Sequence, residues 1–393
     1  MLKLDTATRS ILAVVLFTLL CYIEIGLQMV VVSLFVKERL GFSLVWAGFA
    51  VSVQYLATFG SRGWAGNRID IIGPKKVVVR GLVTGVLSGL VLVAAQTVAA
   101  RPMAAFALVL LARIALGISE SMVATAALVW NIRRVGTAHT AQVISWNGVC
   151  SYGGIALGAP VAMGIYQNTP PVMGGLSAVG LCCAALMALG LPWAAMQPAV
   201  RPLEEGKRLP FLSVLGKVAP YGVVLAGGSI GFGAISSLYA LYFVDRSWQG
   251  AATGLSAFGV IFVLTRFVLT GQIARHGGLR VAMASLLAEA CGLAAIALAP
   301  TPVLADLGAA LAGAGFALLF PALGVSAVAK TGPESRGAAI GAFSVFLDIA
   351  IGLSGPLLGM IVPLGGYMGV YLSAAVFSVL GAAICLGLIS REG

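Results

Sequence analysis

Ile11-Leu-Ala-Val-Val-Leu-Phe-Thr-Leu-Leu-Cys21-Tyr-Ile-Glu24-Ile-Gly-Leu-Gln28-Met-Val-Val-Val-Ser-Leu-Phe35 is a run of 25 residues carrying one charge. As a helix rising about 1.5 Å per residue it spans the roughly 30 Å of a bilayer's hydrocarbon core. It is too long for the apolar region of a signal peptide and no convincing cleavage site follows it, so it reads as a retained first helix. Similar runs recur along the chain, near residues 10–36, 44–66, 76–98, 104–131, 139–166, 172–196, 213–244, 250–273, 279–299, 303–329, 336–362 and 367–389. Hydrophobic residues make up 60% of the 393 and charged residues 9%, against about 25% charged in a soluble domain. An outer-membrane barrel would show alternating segments of about ten residues, which these continuous runs exclude. The expected fold is an all-α membrane protein of about twelve transmembrane helices.

The most charged stretch, Arg201-Pro-Leu-Glu-Glu-Gly-Lys-Arg208, divides six runs from six. It predicts an N-terminal bundle over 1–196, a cytoplasmic linker over 197–212 and a C-terminal bundle over 213–393. With the N-terminus inside, 18 of the 24 Lys and Arg fall on the inner side, four outside, and Arg113 and Arg266 within helices. That bias predicts cytoplasmic termini. The net charge of +11 therefore reports membrane topology and not a nucleic-acid stripe. The six cysteines lie inside apolar runs without metal-ligand spacing to a histidine, so they read as small buried hydrophobes. His139 and His276 fall at loop ends and read as solvated.

The halves echo one another. Gly66-Asn-Arg-Ile-Asp70-Ile-Ile-Gly73-Pro-Lys75-Lys76 in the turn after the second helix matches Gly271-Gln-Ile-Ala-Arg275-His-Gly-Gly278-Leu-Arg280 in glycine spacing. Gly158-Ala-Pro160 in the fifth helix is matched by Gly355-Pro356 in the eleventh. Internal repeats of this kind build transporters.

The same motifs carry a family resemblance. Gly66-x-x-x-Asp70-x-x-Gly73-x-Lys75-Lys76 resembles the loop signature of the major facilitator superfamily. Arg113-Ile-Ala-Leu-Gly117 resembles its fourth-helix signature, and Gly154-x-x-x-Gly158-Ala-Pro160 the fifth-helix pattern of its antiporters. The sequence departs from the pattern at Ile71, often basic in the family, and at Ala159, where the antiporter motif prefers glycine. Gly48–Ser61, Ile144-Ser-Trp-Asn-Gly148 and Leu311–Gly324 look closest to the YhhS/YfcJ-like group of bacterial efflux proteins. The resemblance covers the whole chain. It implies two six-helix pseudo-repeats in a bacterial inner membrane, and a gate in which Asp70 holds the N-terminus of the eleventh helix near Ser335–Gly337. Gly66, Gly73, Pro160 and Pro356 would shape that gate.

Charge at membrane depth is expensive and marks function by default. The ionisable residues within helices are Glu24, Arg113, Glu120, Arg266, Glu289 and Asp348. Glu24, Glu120 and Asp348 lie 15, 13 and 12 residues from Arg9, Arg133 and Arg336. These separations give a common depth of roughly 18–22 Å. In the family the first, fourth and eleventh helices border a central cavity, so these acids are the candidates to carry a proton or a cationic solute. Arg113, seven residues before Glu120, shares its helix face and can pair with either glutamate. Gln28, Gln54, Tyr55, Trp146, Asn147, Tyr152, Tyr239 and Tyr242 would line a polar and aromatic solute site. Arg266 and Glu289, at roughly 13–14 Å on adjacent helices, would form a structural ion pair.

Hydrolase, nucleotide and metal patterns are absent, so no enzyme, cofactor or ATP-driven pump is expected. The expected function is a proton-coupled exporter of a small organic molecule, acting as a monomer with solute, protons and bilayer as its only partners. The alternatives are a facilitator or sugar-like uptake symporter of the same fold, or a lipid flippase.

Overall fold

The computed structural model describes residues 6–136, 139–170, 174–200, 211–330 and 336–392. Among these residues there is no strand, and twelve helices are long and apolar enough to cross a membrane. They are α1 (Thr6–Leu34), α2 (Leu44–Ile72), α3 (Pro74–Thr97), α4 (Pro102–Val135), α5 (Thr140–Asn168) and α6 (Gly175–Met196), then α7 (Phe211–Asp245), α8 (Ala251–Leu269), α9 (Gly278–Ala297), α10 (Pro302–Ala329), α11 (Arg336–Gly359) and α12 (Val362–Glu392). A five-residue π-turn, Phe35–Arg39, finishes α1. Proline opens α3, α4 and α10, where its missing N–H goes unneeded. Prolines also stand inside α5, α6, α7, α10 and α11, which membrane helices tolerate.

Two boundaries differ from expectation. The signature after the second helix is largely not a loop: α2 runs on through Gly66 and Asp70 to Ile72. No proline interrupts that stretch, and the chain turns only at Gly73, whose φ of 84° suits glycine. Gly66 meets nothing within 4 Å among the described residues and mediates no close approach. The second half inserts a short helix, Gly271–His276, between α8 and α9 in place of a tight hairpin. The segment 201–210, most of the expected linker, and Ser335 lie outside the described residues, as does the side chain of Asp70.

The chain forms two compact units. Unit 1 comprises Met1–Phe42 and Val53–Gly206; unit 2 comprises Ser43–Ser52 and Lys207–Gly393. Within unit 1, α1 packs on α5 and α4, and α3 on α4 and α6. Within unit 2, α7 packs on α11 and α10, and α9 on α10 and α12, so the pairings repeat. Gly154 and Gly158 let α5 meet α1 backbone to backbone: a Cβ on Gly158 would lie 2.8 Å from Leu27 N, and one on Gly154 2.9 Å from Ile23 N. This small-residue seam is how membrane helices approach closely.

The repeat has an anchor in backbone geometry. Gly73 and Gly277 cap α3 and α9 with φ, ψ of 84°, 152° and 83°, 151°, 204 positions apart. At the same offset Glu24 corresponds to Gly228 and Gly85 to Glu289. In unit 1 the carboxyl of Glu24 on α1 lies against Gly85 on α3, where a Cβ would come 2.8 Å from Oε2. In unit 2 the carboxyl of Glu289 on α9 lies against Gly228 on α7, where a Cβ would come 2.7 Å from Oε2. Each half therefore buries one acid at the same helix seam, with acid and glycine exchanged between the helices.

Candidate functional site

The membrane acids of unit 1 sit in a polar cluster assembled from four helices. Glu120 on α4 is 3% exposed, and three donors reach it. Tyr22 OH on α1 donates to Oε1 at 3.1 Å. On α2, Gln54 Nε2 donates to Oε2 at 2.8 Å and Thr58 Oγ1 lies 3.0 Å from the same oxygen. Thr58 has one hydroxyl proton and two further acceptors in range, the carbonyls of Gln54 and Gly117 at 3.0 and 3.1 Å. Its donation to Glu120 is thus one choice of three. Gly117, one turn before Glu120, makes this possible by letting α4 close against the Gln54–Thr58 backbone, with Thr58 N 3.0 Å from the position of a Cβ.

Glu24 occupies a different setting. It is fully buried on α1, and Gln28 Nε2 donates to Oε1 at 3.2 Å. Gln28 uses the same amide nitrogen on Ser88 Oγ of α3 at 3.0 Å, and Ser88 passes its proton to the Ala112 carbonyl at 2.9 Å. Oε2 accepts no hydrogen bond and faces Gly85 and Met187. Residues two apart on a helix point to nearly opposite sides. Hence Tyr22 reaches α4 while Glu24 turns to α3 and α6.

The two glutamates expected to act as a pair are therefore not hydrogen-bonded to each other. Arg113, fully buried, connects them through its field: Tyr55, Glu120, Glu24 and Cys183 are all in Coulombic reach of its guanidinium. Around this centre, Asn147 on α5 accepts from Thr18 on α1 at 3.0 Å, and Trp146 and Tyr152 are half-buried on α5. Tyr152 lies in Coulombic reach of Tyr22. The structure thus groups Tyr55, Gln54, Arg113, Glu120 and Tyr152 with Tyr22 and Thr58, and sets Glu24 and Gln28 in an adjoining compartment with Ser88.

Unit 2 holds the other candidates. Tyr239 is buried and donates to Asp306 Oδ1 at 2.8 Å; Tyr242 is buried and donates to the Ile296 carbonyl at 3.2 Å. Tyr242 also packs on Trp248, Tyr367 and Tyr371, with Arg246 over its ring at 5.6 Å. These tyrosines fill unit 2's interior. Asp348 is 1% exposed on α11. Pro160 is exposed on α5 and Pro356 half-buried on α11.

The expected ion pair between Arg266 and Glu289 is not formed. Arg266 lies over the Phe262 ring at 5.6 Å, while neither carboxyl oxygen of Glu289 has a hydrogen-bond partner in range. Gly228 and Gly231 of α7 seat that carboxyl, and Ser378 of α12 lies in its neighbourhood, its hydroxyl donating to the Ala374 carbonyl at 3.4 Å. Shared depth placed the two side chains level without fixing the direction in which either points.

Sequence reasoning missed Tyr22, Thr58, Ser88 and Asp306. Thr58 carried a signal, one turn beyond Gln54, and so did Asp306, a carboxylate four residues into an apolar run. Among the described residues no group of His, Cys, Asp and Glu could hold a metal ion.

Twelve spans among the described residues, in two compact units of repeated packing with charged side chains buried in the helices, define a multi-pass membrane transporter. Residues 14–304 match the family described as Major Facilitator Superfamily. A protein of Burkholderia mallei (strain SAVP1), described as an uncharacterized MFS-type transporter, is 46% identical over 98% of this chain and 93% of its own length. The fold is shared with the Escherichia coli fucose:proton symporter FucP, at 16% identity and a TM-score of 0.68 over 97% of this chain and 99% of that one. It is shared also with the nucleoside transporter NupG, at 18% identity and a TM-score of 0.70 over 97% and 99%. The chain belongs to the major facilitator superfamily.

Proposed function

We propose that the protein is a proton-coupled exporter of a small organic solute, working by alternating access between its bundles at 1–196 and 213–393. Both termini face the cytoplasm of a bacterial inner membrane. The observation that carries this reading is Glu120: a buried carboxylate held by three separate neutral donors on α1 and α2, beside Arg113.

Such a site exchanges partners readily. When Glu120 carries a proton, the acid's own O–H competes with donation from Tyr22, Gln54 and Thr58, and those groups are released to bind solute. When solute arrives, its polar or cationic group takes the carboxylate and the proton leaves. One carboxyl thus serves two ligands that exclude each other, which is the requirement for exchange. Gln54, Tyr55, Trp146, Asn147 and Tyr152 are the solute contacts assigned to unit 1. Glu24 is the second acid, coupled through Arg113, and Asp348 the reserve in unit 2. The resemblance to the YhhS/YfcJ-like group supports export, and the fucose:proton symporter FucP supports proton coupling as an activity this fold carries.

Solute-dependent proton release from purified protein, across a panel of cationic and polar compounds, tests the reading. Release that is lost in Glu120→Gln supports it. Flux in proteoliposomes then sets direction: solute moving against the proton gradient is export, and solute moving with it is the uptake symport that forms the alternative.

A further inference from the structure

Unit 2 contains a cavity of about 470 Å³ between α8, the short helix Gly271–His276, α9 and α10. No residue of the polar cluster lines it, and no acidic residue does. Its charged and ring-nitrogen side chains gather at one end, and along the spans the lining is mostly apolar, with the hydroxyls of Thr265 and Ser285 among it. Gln272, His276 and Arg280 lie on the short helix and the first turn of α9. Ala284 and Ala288 follow at one and two turns, roughly 6 and 12 Å farther along the helix axis. Leu269, Val281, Ala314 and Leu318 complete the apolar part.

The surface around it is a lipid-facing one. Phe267 and Val268 on α8 are 56% and 74% exposed, and Leu287 on α9 and Leu311 on α10 are 46% and 42% exposed. In a twelve-span protein, apolar side chains exposed in this way contact acyl chains. His276 and Arg280 are exposed at the end of these spans, and Arg275 adds a second arginine at the same end. The cavity is thus cationic at the end of the span and apolar along it, which is the polarity of a phospholipid. A free phosphate would use the cations but leave the mostly apolar remainder of the cavity unfilled. A neutral lipid would leave the positive charges without a counter-ion.

We propose that this cavity binds an anionic phospholipid from the leaflet on the α8–α9 side. Arg280 and His276 hold the phosphate, Gln272 donates to it, and one acyl chain lies along Ala284, Ala288 and Leu318. Basic pockets between membrane helices bind anionic headgroups for this reason, each cation near the surface adding about one kcal/mol, or roughly fivefold in affinity.

The full-length protein, purified in detergent, is assayed by native mass spectrometry and by its thermal unfolding midpoint. It is tested with phosphatidylglycerol, with phosphatidylcholine of the same chains, and with inorganic phosphate alone. Phosphatidylglycerol is expected to be retained and to raise the midpoint more than phosphatidylcholine. Arg280→Gln is expected to weaken its retention about fivefold, and Arg280→Gln/His276→Gln to erase the preference. Ala284→Leu, which fills the chain-binding part and keeps Arg280 and His276, is expected to reduce retention as well. Equal retention of the two lipids, an unchanged preference in the double variant, or an Arg280-dependent shift reproduced in full by inorganic phosphate would each overturn the proposal. The last outcome would assign the cations to a soluble anion instead.

Discussion

Alanine at Gly228 tests the seat of the unit 2 carboxyl. A Cβ there meets Glu289 Oε2 at 2.7 Å, about 0.7 Å inside the 3.4 Å at which ordinary contact begins. Leu319 and Leu286 close the other sides, the Leu286 methyl at 3.1 Å, so the new group has no free direction. Overfilling of this kind costs about 1–3 kcal/mol. Alanine also gains up to about 1 kcal/mol over glycine in helix propensity. Gly216→Ala, on the same helix with nothing within 4 Å among the described residues, measures that gain alone. In reversible denaturant unfolding of the purified protein, Gly228→Ala is expected to fall below Gly216→Ala by about 1–3 kcal/mol. Glu289→Ala removes the carboxyl's share of the crowding, while the contact with Leu319, which comes nearer still, remains. The double variant should therefore exceed the sum of the singles by more than the roughly 0.5 kcal/mol scatter of independent sites. Strictly additive losses, or a Gly228→Ala as stable as Gly216→Ala, would refute the pairing of carboxyl with glycine.

Three further outcomes follow from the geometry. Thr58→Val removes one of the three donors to Glu120 at nearly constant volume; hydrogen bonds to charged groups contribute about 1.5–3 kcal/mol, so a loss near the lower figure is expected in the same unfolding assay. Because that hydroxyl has two alternative acceptors, a loss at the upper figure would show that it donates to Glu120 alone. Arg266→Gln and Glu289→Gln are expected to be additive within about 0.5 kcal/mol, since the two side chains do not meet; a coupling above about 1 kcal/mol would restore the ion pair. A cysteine replacing Gly206 should be labelled by an impermeant maleimide only after the cells are opened, as cytoplasmic termini require, and labelling of intact cells would reverse the orientation.

The spans were legible because length and polarity decide them. A run such as Ile11–Phe35 has no stable alternative to a helix in lipid, since every backbone group must be bonded within the segment. Helix ends were less legible. Gly66 looked like a turn glycine by motif, yet Gly73 and Pro74 are what break α2, because only there do a positive φ and a missing N–H coincide. The shared face of Arg113 and Glu120 followed from their spacing of seven, and both prove buried. Depth alone could not say which way Glu24 points, and so its compartment with Gln28 and Ser88 was not visible. The exchange of Glu24 and Gly85 for Gly228 and Glu289 needed the contact across each seam and the 204-residue offset of the caps at Gly73 and Gly277, since the glycine spacing in the sequence pairs Gly73 with Gly278, one residue away. Thr58 escaped because a short hydroxyl inside an apolar helix usually satisfies itself on its own backbone, as Ser229 does on the Leu225 carbonyl at 2.7 Å.

Proton release on solute addition, measured with a pH dye on the purified protein and on its Glu120→Gln variant, bears most directly on the assignment of Glu120 as the shared site. The wild type is expected to release protons when a transported solute is added, and Glu120→Gln to bind solute weakly and release none. Glu24→Gln, in its separate compartment, is expected to lower the release without abolishing the solute's binding. Equal proton release from Glu120→Gln and the wild type would contradict exchange at Glu120 and move the coupling to another acid.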